Sequence, residues 1–119
     1  MIDKIVIGFD NNLRVCANYA QGDYLIFMGD DDVFIKNSLD KLLNFLFKNS
    51  NLAFVLKSHK YEYADGRIEQ YRYFKKDQFF KASIQSLIKV FRKSVLISGW
   101  IVKREIWRKY DTSDLDGTL

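Results

Sequence analysis

Residues 22–34 read GDYLIFMGDDDVF, an apolar run that stops at three consecutive aspartates. Tyr24 to Met28 is rich in strand formers and long enough for a strand buried on both faces. Gly29 and the aspartates mark its carboxyl end. In open α/β sheets, ligands bind beyond the carboxyl ends of the strands. Asp30, Asp31 and Asp32 therefore fall where a ligand is expected. Adjacent carboxylates repel one another and cost stability unless a cation compensates. Mg²⁺ or Mn²⁺ is the natural partner, because Mg²⁺ takes one or two carboxylates and completes its octahedron with water and substrate phosphates. The plainer alternative is a solvated acidic loop, with Asp31 or Asp32 beginning the next helix.

Working outward, residues 4–7 suit a short strand or a docked extended segment. From Asn12, the residues Leu13, Cys16, Ala17 and Ala20 recur at helical spacing, and Gly22 follows as a stop. Cys16 lies on this apolar stripe and is expected to pack. Beyond the aspartates, Asn37 or Ser38 can cap a helix with the stripe Leu39, Leu42, Leu43, Leu46 and Phe47. Leu52 to Leu56 is a further strand. Tyr61, Tyr63, the Ala64-Asp65-Gly66 turn, Ile68, Tyr71 and Tyr73 spell a hairpin. Its aromatic residues are expected to face inward and its charges outward. Phe80, Ile84, Leu87, Ile88 and Phe91 mark another helix, Val95 to Val102 a strand, and Arg104 to Lys109 a short helix. This order predicts an α/β fold, a mixed sheet with helices packed on it.

The 119 residues amount to one domain, and 48% hydrophobic content suffices for a core. No repeat, low-complexity segment or linker divides them. The apolar runs are too short and too often broken by charge to span a bilayer. No secretory leader is evident. A single cysteine excludes an internal disulfide framework and favours a reducing, cytoplasmic setting. The net charge of +4 conceals an asymmetry. Residues 1–55 hold five Lys/Arg against seven Asp, whereas residues 56–119 hold fourteen Lys/Arg against eight acids. Such a division suits an anionic ligand held with a cation, or an anionic surface.

Several elements in order resemble the GT-A glycosyltransferases of family 2. IGFDNNL (7–13) looks like that family's glycine turn leading into an Asn-bearing helix. ANYAQGDYLIFMGDDD (17–32) resembles its strand ending in the DXD-type metal motif. VFIKNSLDKLLNFL (33–46) matches the following helix, and SGWIVKREIWRKYD (98–111) resembles the later acceptor-side strand and helix. The Gly-Asp-Asp-Asp form is closest to bacterial surface-polysaccharide sugar transferases. The resemblance implies a partial GT-A (Rossmann-like) domain over 1–119, with a DXD-containing core at 7–48, an acceptor-side half at 49–111 and a polar tail at 112–119. It implies transfer of a sugar from a nucleotide-sugar donor to a saccharide or lipid-linked acceptor, dependent on Mg²⁺ or Mn²⁺, in polysaccharide biosynthesis. Carried over by position, Asp30, Asp31 and Asp32 are the metal residues, and Gly8, Asp10, Asn12 and Asp30 lie near the nucleotide-sugar. Gly29 and Val6 stand where the family more often has Asp and Asn. The family's amino-terminal strand and nucleotide-base pocket have no counterpart, so the first third of the domain is expected to be missing.

Inverting transfer needs a base, usually a carboxylate, to take the proton of the acceptor hydroxyl. By resemblance it follows the last helix, where Asp111, Asp114 and Asp116 are the acids, Asp114 and Asp116 the candidates taken, and a plain acidic tail is the alternative. Trp100 can stack on an acceptor sugar or pack in the core. His59 is the only histidine, and no Cys/His cluster suggests zinc. DLDGTL (114–119) has the literal form of the haloacid-dehalogenase nucleophile motif, but the buried strand that chemistry needs before it is absent, so the match is a coincidence. Two other functions compete with the enzyme. One is an inactive relative acting as an interaction module, a homodimer that covers an open sheet edge. The other is a basic domain, its 57–76 stretch of Lys/Arg among Tyr and Phe suited to single-stranded nucleic acid or an anionic membrane surface. Of these partners, peripheral contact with the inner face of the membrane fits a lipid-linked acceptor, and nucleic acid is disfavoured.

Overall fold

A computed structural model describes residues 8–91, 93 and 96–110. The elements follow the expected order: α1 (Phe9–Tyr19), β1 (Tyr24–Ile26), α2 (Ser38–Lys48), β2 (Phe54–Leu56), β3 (His59–Glu62), β4 (Ile68–Tyr71), α3 (Ile84–Phe91), β5 (Trp100–Lys103) and α4 (Arg104–Arg108). One sheet has the strand order β1-β5-β2, and β3 pairs with β4 in a separate two-stranded sheet. Helices with a mixed set of strands make this the expected partial α/β domain. Residues 4–7 and the tail from 111 onward lie outside the described residues.

The chain divides into two compact units, residues 1–25 with 102–119, and residues 26–101. In the first, Gly8 precedes α1 with φ +77°, a backbone conformation that glycine adopts without strain. Asp10 in the first turn complements the positive end of the helix. Ala17 and Leu25 are buried, and the Arg104 N–H donates to the Asp23 carbonyl at 2.9 Å. Cys16, expected to pack, is exposed instead. The buried position on α1 is its neighbour Ala17, about 100° further round the helix.

In the second unit, Phe27, Leu46 and Ile101 are buried, together with Ser98 and Gly99. The α2 stripe is only partly used. Leu46 is buried and Leu42 half-buried, while Leu43 and Phe47 are exposed. The fifth strand is shorter than its apolar run. Ile97–Gly99 winds as a single 3₁₀ turn, and β5 starts at Trp100.

The β3–β4 hairpin is antiparallel, with His59 opposite Tyr71 and Tyr61 opposite Glu69. Directly opposed residues share a face, so these four stand together. His59 stacks on Tyr71 at 5.1 Å and meets Tyr61 edge-on at 5.0 Å. Gly66 closes the turn with φ +84°, and Asp65 accepts the Arg67 N–H at 3.0 Å. The expectation that these aromatics point into a core is corrected. Tyr61 and Tyr71 are 44% and 41% exposed, because a two-stranded ribbon leaves its rings to pack on one another.

Candidate functional site

The site is built around the end of β1, within the second unit. Buried Phe27 carries the chain to Gly29, and the Asp32 N–H donates to the Gly29 carbonyl at 3.3 Å, bending the aspartates into a turn. A Cβ at Gly29 would lie 3.0 Å from Asp31 Oδ1 and 3.0 Å from Asp32 Oδ2. Both carboxylates thus lean over the one residue that has no side chain. Asp30 is exposed.

Ser98 holds this turn from the other side. Its buried hydroxyl accepts the Gly29 N–H at 2.9 Å and donates a hydrogen bond to Asp32 Oδ2. The 3₁₀ turn that presents Ser98 is itself tied to the end of β2, where the Lys57 N–H donates to the Gly99 carbonyl at 3.0 Å. Lys57 and His59 extend from that point. Lys57 Nζ stands 4.7 Å from the centre of the Phe34 ring, and His59 Nδ1 lies 3.3 Å from the Tyr73 hydroxyl. Burial pushes the Lys57 ammonium below its ordinary pKa, and the nearby Asp32 carboxylate partly opposes this. His59 follows the same logic. Burial lowers it first, Asp32 raises it, and Lys57 lowers it again. Asp32 is the carboxylate that opposes the effect of burial at both groups.

The sequence candidates separate into two groups. Asp31 and Asp32 are brought together, with Asp30 beside them in the chain. Trp100 is half-buried at the start of β5. Gly8, Asp10 and Asn12 belong to the other unit, where the Asn12 N–H donates to the Gly8 carbonyl at 3.1 Å as part of the first turn of α1. Asp114 and Asp116 lie outside the described residues. Among the described residues, no group of three or more His, Cys, Asp or Glu side chains is gathered to hold a metal ion. The pair over Gly29 is nonetheless the donor set a hard, partly hydrated cation takes, one or two carboxylate oxygens.

Ser98, Lys57 and His59 were not singled out for this site from the sequence. The only local signal was Ser98-Gly99 after an apolar run, which is as typical of a turn. Among the described residues, no helix is long and apolar enough to cross a membrane. The family model described as glycosyl transferase family 2 matches residues 6–109. No curated protein and no solved structure matches the chain.

Proposed function

This chain belongs to glycosyl transferase family 2, and we propose that it serves transfer of a sugar from a nucleotide-sugar donor to a saccharide or lipid-linked acceptor. The observation that supports this most directly is the convergence of Asp31 and Asp32 over Gly29, with Asp32 fixed by Ser98. In this reading Asp31 and Asp32 hold Mg²⁺ or Mn²⁺, and Asp30, exposed on the same turn, faces the donor. The cation supplies charge neutralisation for a departing diphosphate. Lys57 adds a positive charge on the same side of the site. Gly8, Asp10 and Asn12 are assigned to the nucleotide, and Trp100 to the acceptor sugar.

The reaction asks two further things of the chain. The acceptor hydroxyl oxygen forms a bond to the anomeric carbon as the bond from that carbon to the diphosphate oxygen breaks. The hydroxyl proton passes to a carboxylate, for which Asp114 and Asp116 are the proposed bases. Inversion at the anomeric carbon accompanies a single displacement of this kind. The setting is the cytoplasmic side of a membrane, where a lipid-linked acceptor is reached.

The test is thermal denaturation of the chain with millimolar Mn²⁺ and UDP or GDP. A rise in melting temperature that needs both components, and that disappears in Asp31→Asn/Asp32→Asn, supports the site. No rise with either nucleotide overturns donor binding by this chain. A dimeric mass in solution together with no ligand response would favour an interaction module instead.

A further inference from the structure

Helix α3 exposes three large apolar side chains, Ile84, Leu87 and Ile88. Ser86 and Val90, four residues apart, form its half-buried face. Ile84, Leu87 and Ile88 occupy the opposite face and are 73%, 59% and 69% exposed. Their i, i+3, i+4 spacing is that of a single apolar stripe. Local hydrogen bonds close the first turn of the helix. Ser83 Oγ accepts the Ser86 N–H at 3.1 Å, and Ser86 Oγ donates to the Lys81 carbonyl at 2.6 Å. Phe79, just before the helix, is 64% exposed. Exposed apolar groups concentrated in this way mark an interaction surface.

The charges identify what meets it. Residues 72–93 contain seven Lys/Arg and one acid, Asp77. Lys89 Nζ lies 5.6 Å from the Phe80 ring centre and Lys93 Nζ 5.0 Å from that of Phe74, and these two rings are 5.6 Å apart. Lys93 Nζ is taken by the Tyr73 carbonyl at 3.1 Å, whereas Arg72, Lys75, Lys76, Lys81 and Lys89 are exposed. Exposed cations beside apolar groups suit a boundary between hydrocarbon and water. A second copy of this surface would bring like charges together. A nucleic acid would satisfy the lysines and leave the aliphatic stripe in water. An anionic bilayer satisfies both, and basic amphipathic helices lie in such interfaces.

We propose that residues 72–89 dock this domain on an anionic lipid surface, with Phe79, Ile84, Leu87 and Ile88 at the acyl boundary and Lys75, Lys76, Lys81 and Lys89 among the headgroups. The proposal rests on the reading of a lipid-linked acceptor and gives it a place on the molecule.

Flotation of the full chain with vesicles tests it. The protein should float with vesicles of equal parts phosphatidylglycerol and phosphatidylcholine, and not with phosphatidylcholine alone. High salt should weaken the binding. Ile84→Gln/Ile88→Gln keeps helix propensity and should lose the binding with an unchanged circular dichroism spectrum. Lys75→Gln/Lys76→Gln/Lys81→Gln should weaken it. Failure of the wild-type chain to float with the anionic vesicles, or undiminished flotation of the isoleucine variant, overturns the proposal. So does a dimer in light scattering that the isoleucine variant dissociates, which would make the face a self-interface. The Mn²⁺–nucleotide melting shift is measured without lipid, so failure there leaves the flotation result standing and the reverse also holds.

Discussion

The Ser98 hydroxyl donates a hydrogen bond to Asp32 Oδ2 across 66 positions of sequence. A hydroxyl has one proton and two lone pairs, so the same oxygen can also accept the Gly29 N–H, at 2.9 Å. One buried side chain thereby fixes both the end of β1 and the orientation of the last aspartate. Through the 3₁₀ turn it also connects them to Lys57.

Ser98→Ala removes both hydrogen bonds and leaves the Gly29 N–H without this acceptor. The expected loss is about 1–3 kcal/mol, the range for an orphaned buried polar group. Urea denaturation measures it. Ser98→Thr keeps the hydroxyl and should recover the Mn²⁺–UDP melting shift, which Ser98→Ala should reduce. An alanine variant as stable as the wild type, with an unaltered ligand shift, would show that Ser98 positions nothing.

Gly29→Ala separates binding from stability. The added Cβ would meet carboxylate oxygens at 3.0 Å, and those are the ends of movable side chains. The fold should therefore tolerate it within about 1 kcal/mol. Asp31 and Asp32 must swing away, so the affinity for Mn²⁺ with UDP should fall by about 10-fold or more, the usual effect of disturbing groups that orient metal ligands. Calorimetric titration beside urea denaturation reads both quantities. The expectation fails if stability collapses while affinity holds.

How much of this was legible in the sequence depends on whether a residue's role is local. The hairpin was, because Asp65-Gly66 specifies its turn and alternate tyrosines specify its face. The aspartates' place after a buried strand was legible for the same reason, as was the order of helices and strands. Ser98 was not. Its partners are 66 and 69 positions away, and only the sheet order β1-β5-β2 connects them. Cys16 shows another limit. Helical periodicity gives a stripe about 100° wide, and whether Cys16 or Ala17 occupies its centre is decided by what packs there. The α3 stripe marks the sharpest limit. Periodicity put Ile84, Leu87 and Ile88 on one face of a helix but could not reveal that these three point outward, and Phe80 lies before the helix rather than in it.

His59 should make stability depend on pH in a definite direction. Burial lowers its pKa in the folded chain, with Asp32 opposing and Lys57 reinforcing the effect. A depressed folded pKa means that the unfolded chain binds the proton more readily. The stabilisation is therefore fully present above the unfolded value near 6.5 and is lost as pH falls through the folded value. Between pH 7.5 and about 5, the free energy of unfolding should decline, and His59→Gln should flatten that decline. Because the chain has one histidine, a single ring resonance in NMR reports the titration without assignment. Its midpoint should lie below 6.5, and Asp32→Asn should move it lower still by removing the one charge that favours the imidazolium. A midpoint at or above 6.5, or an upward move in Asp32→Asn, would show that Asp32 and His59 are not coupled in the way their placement implies.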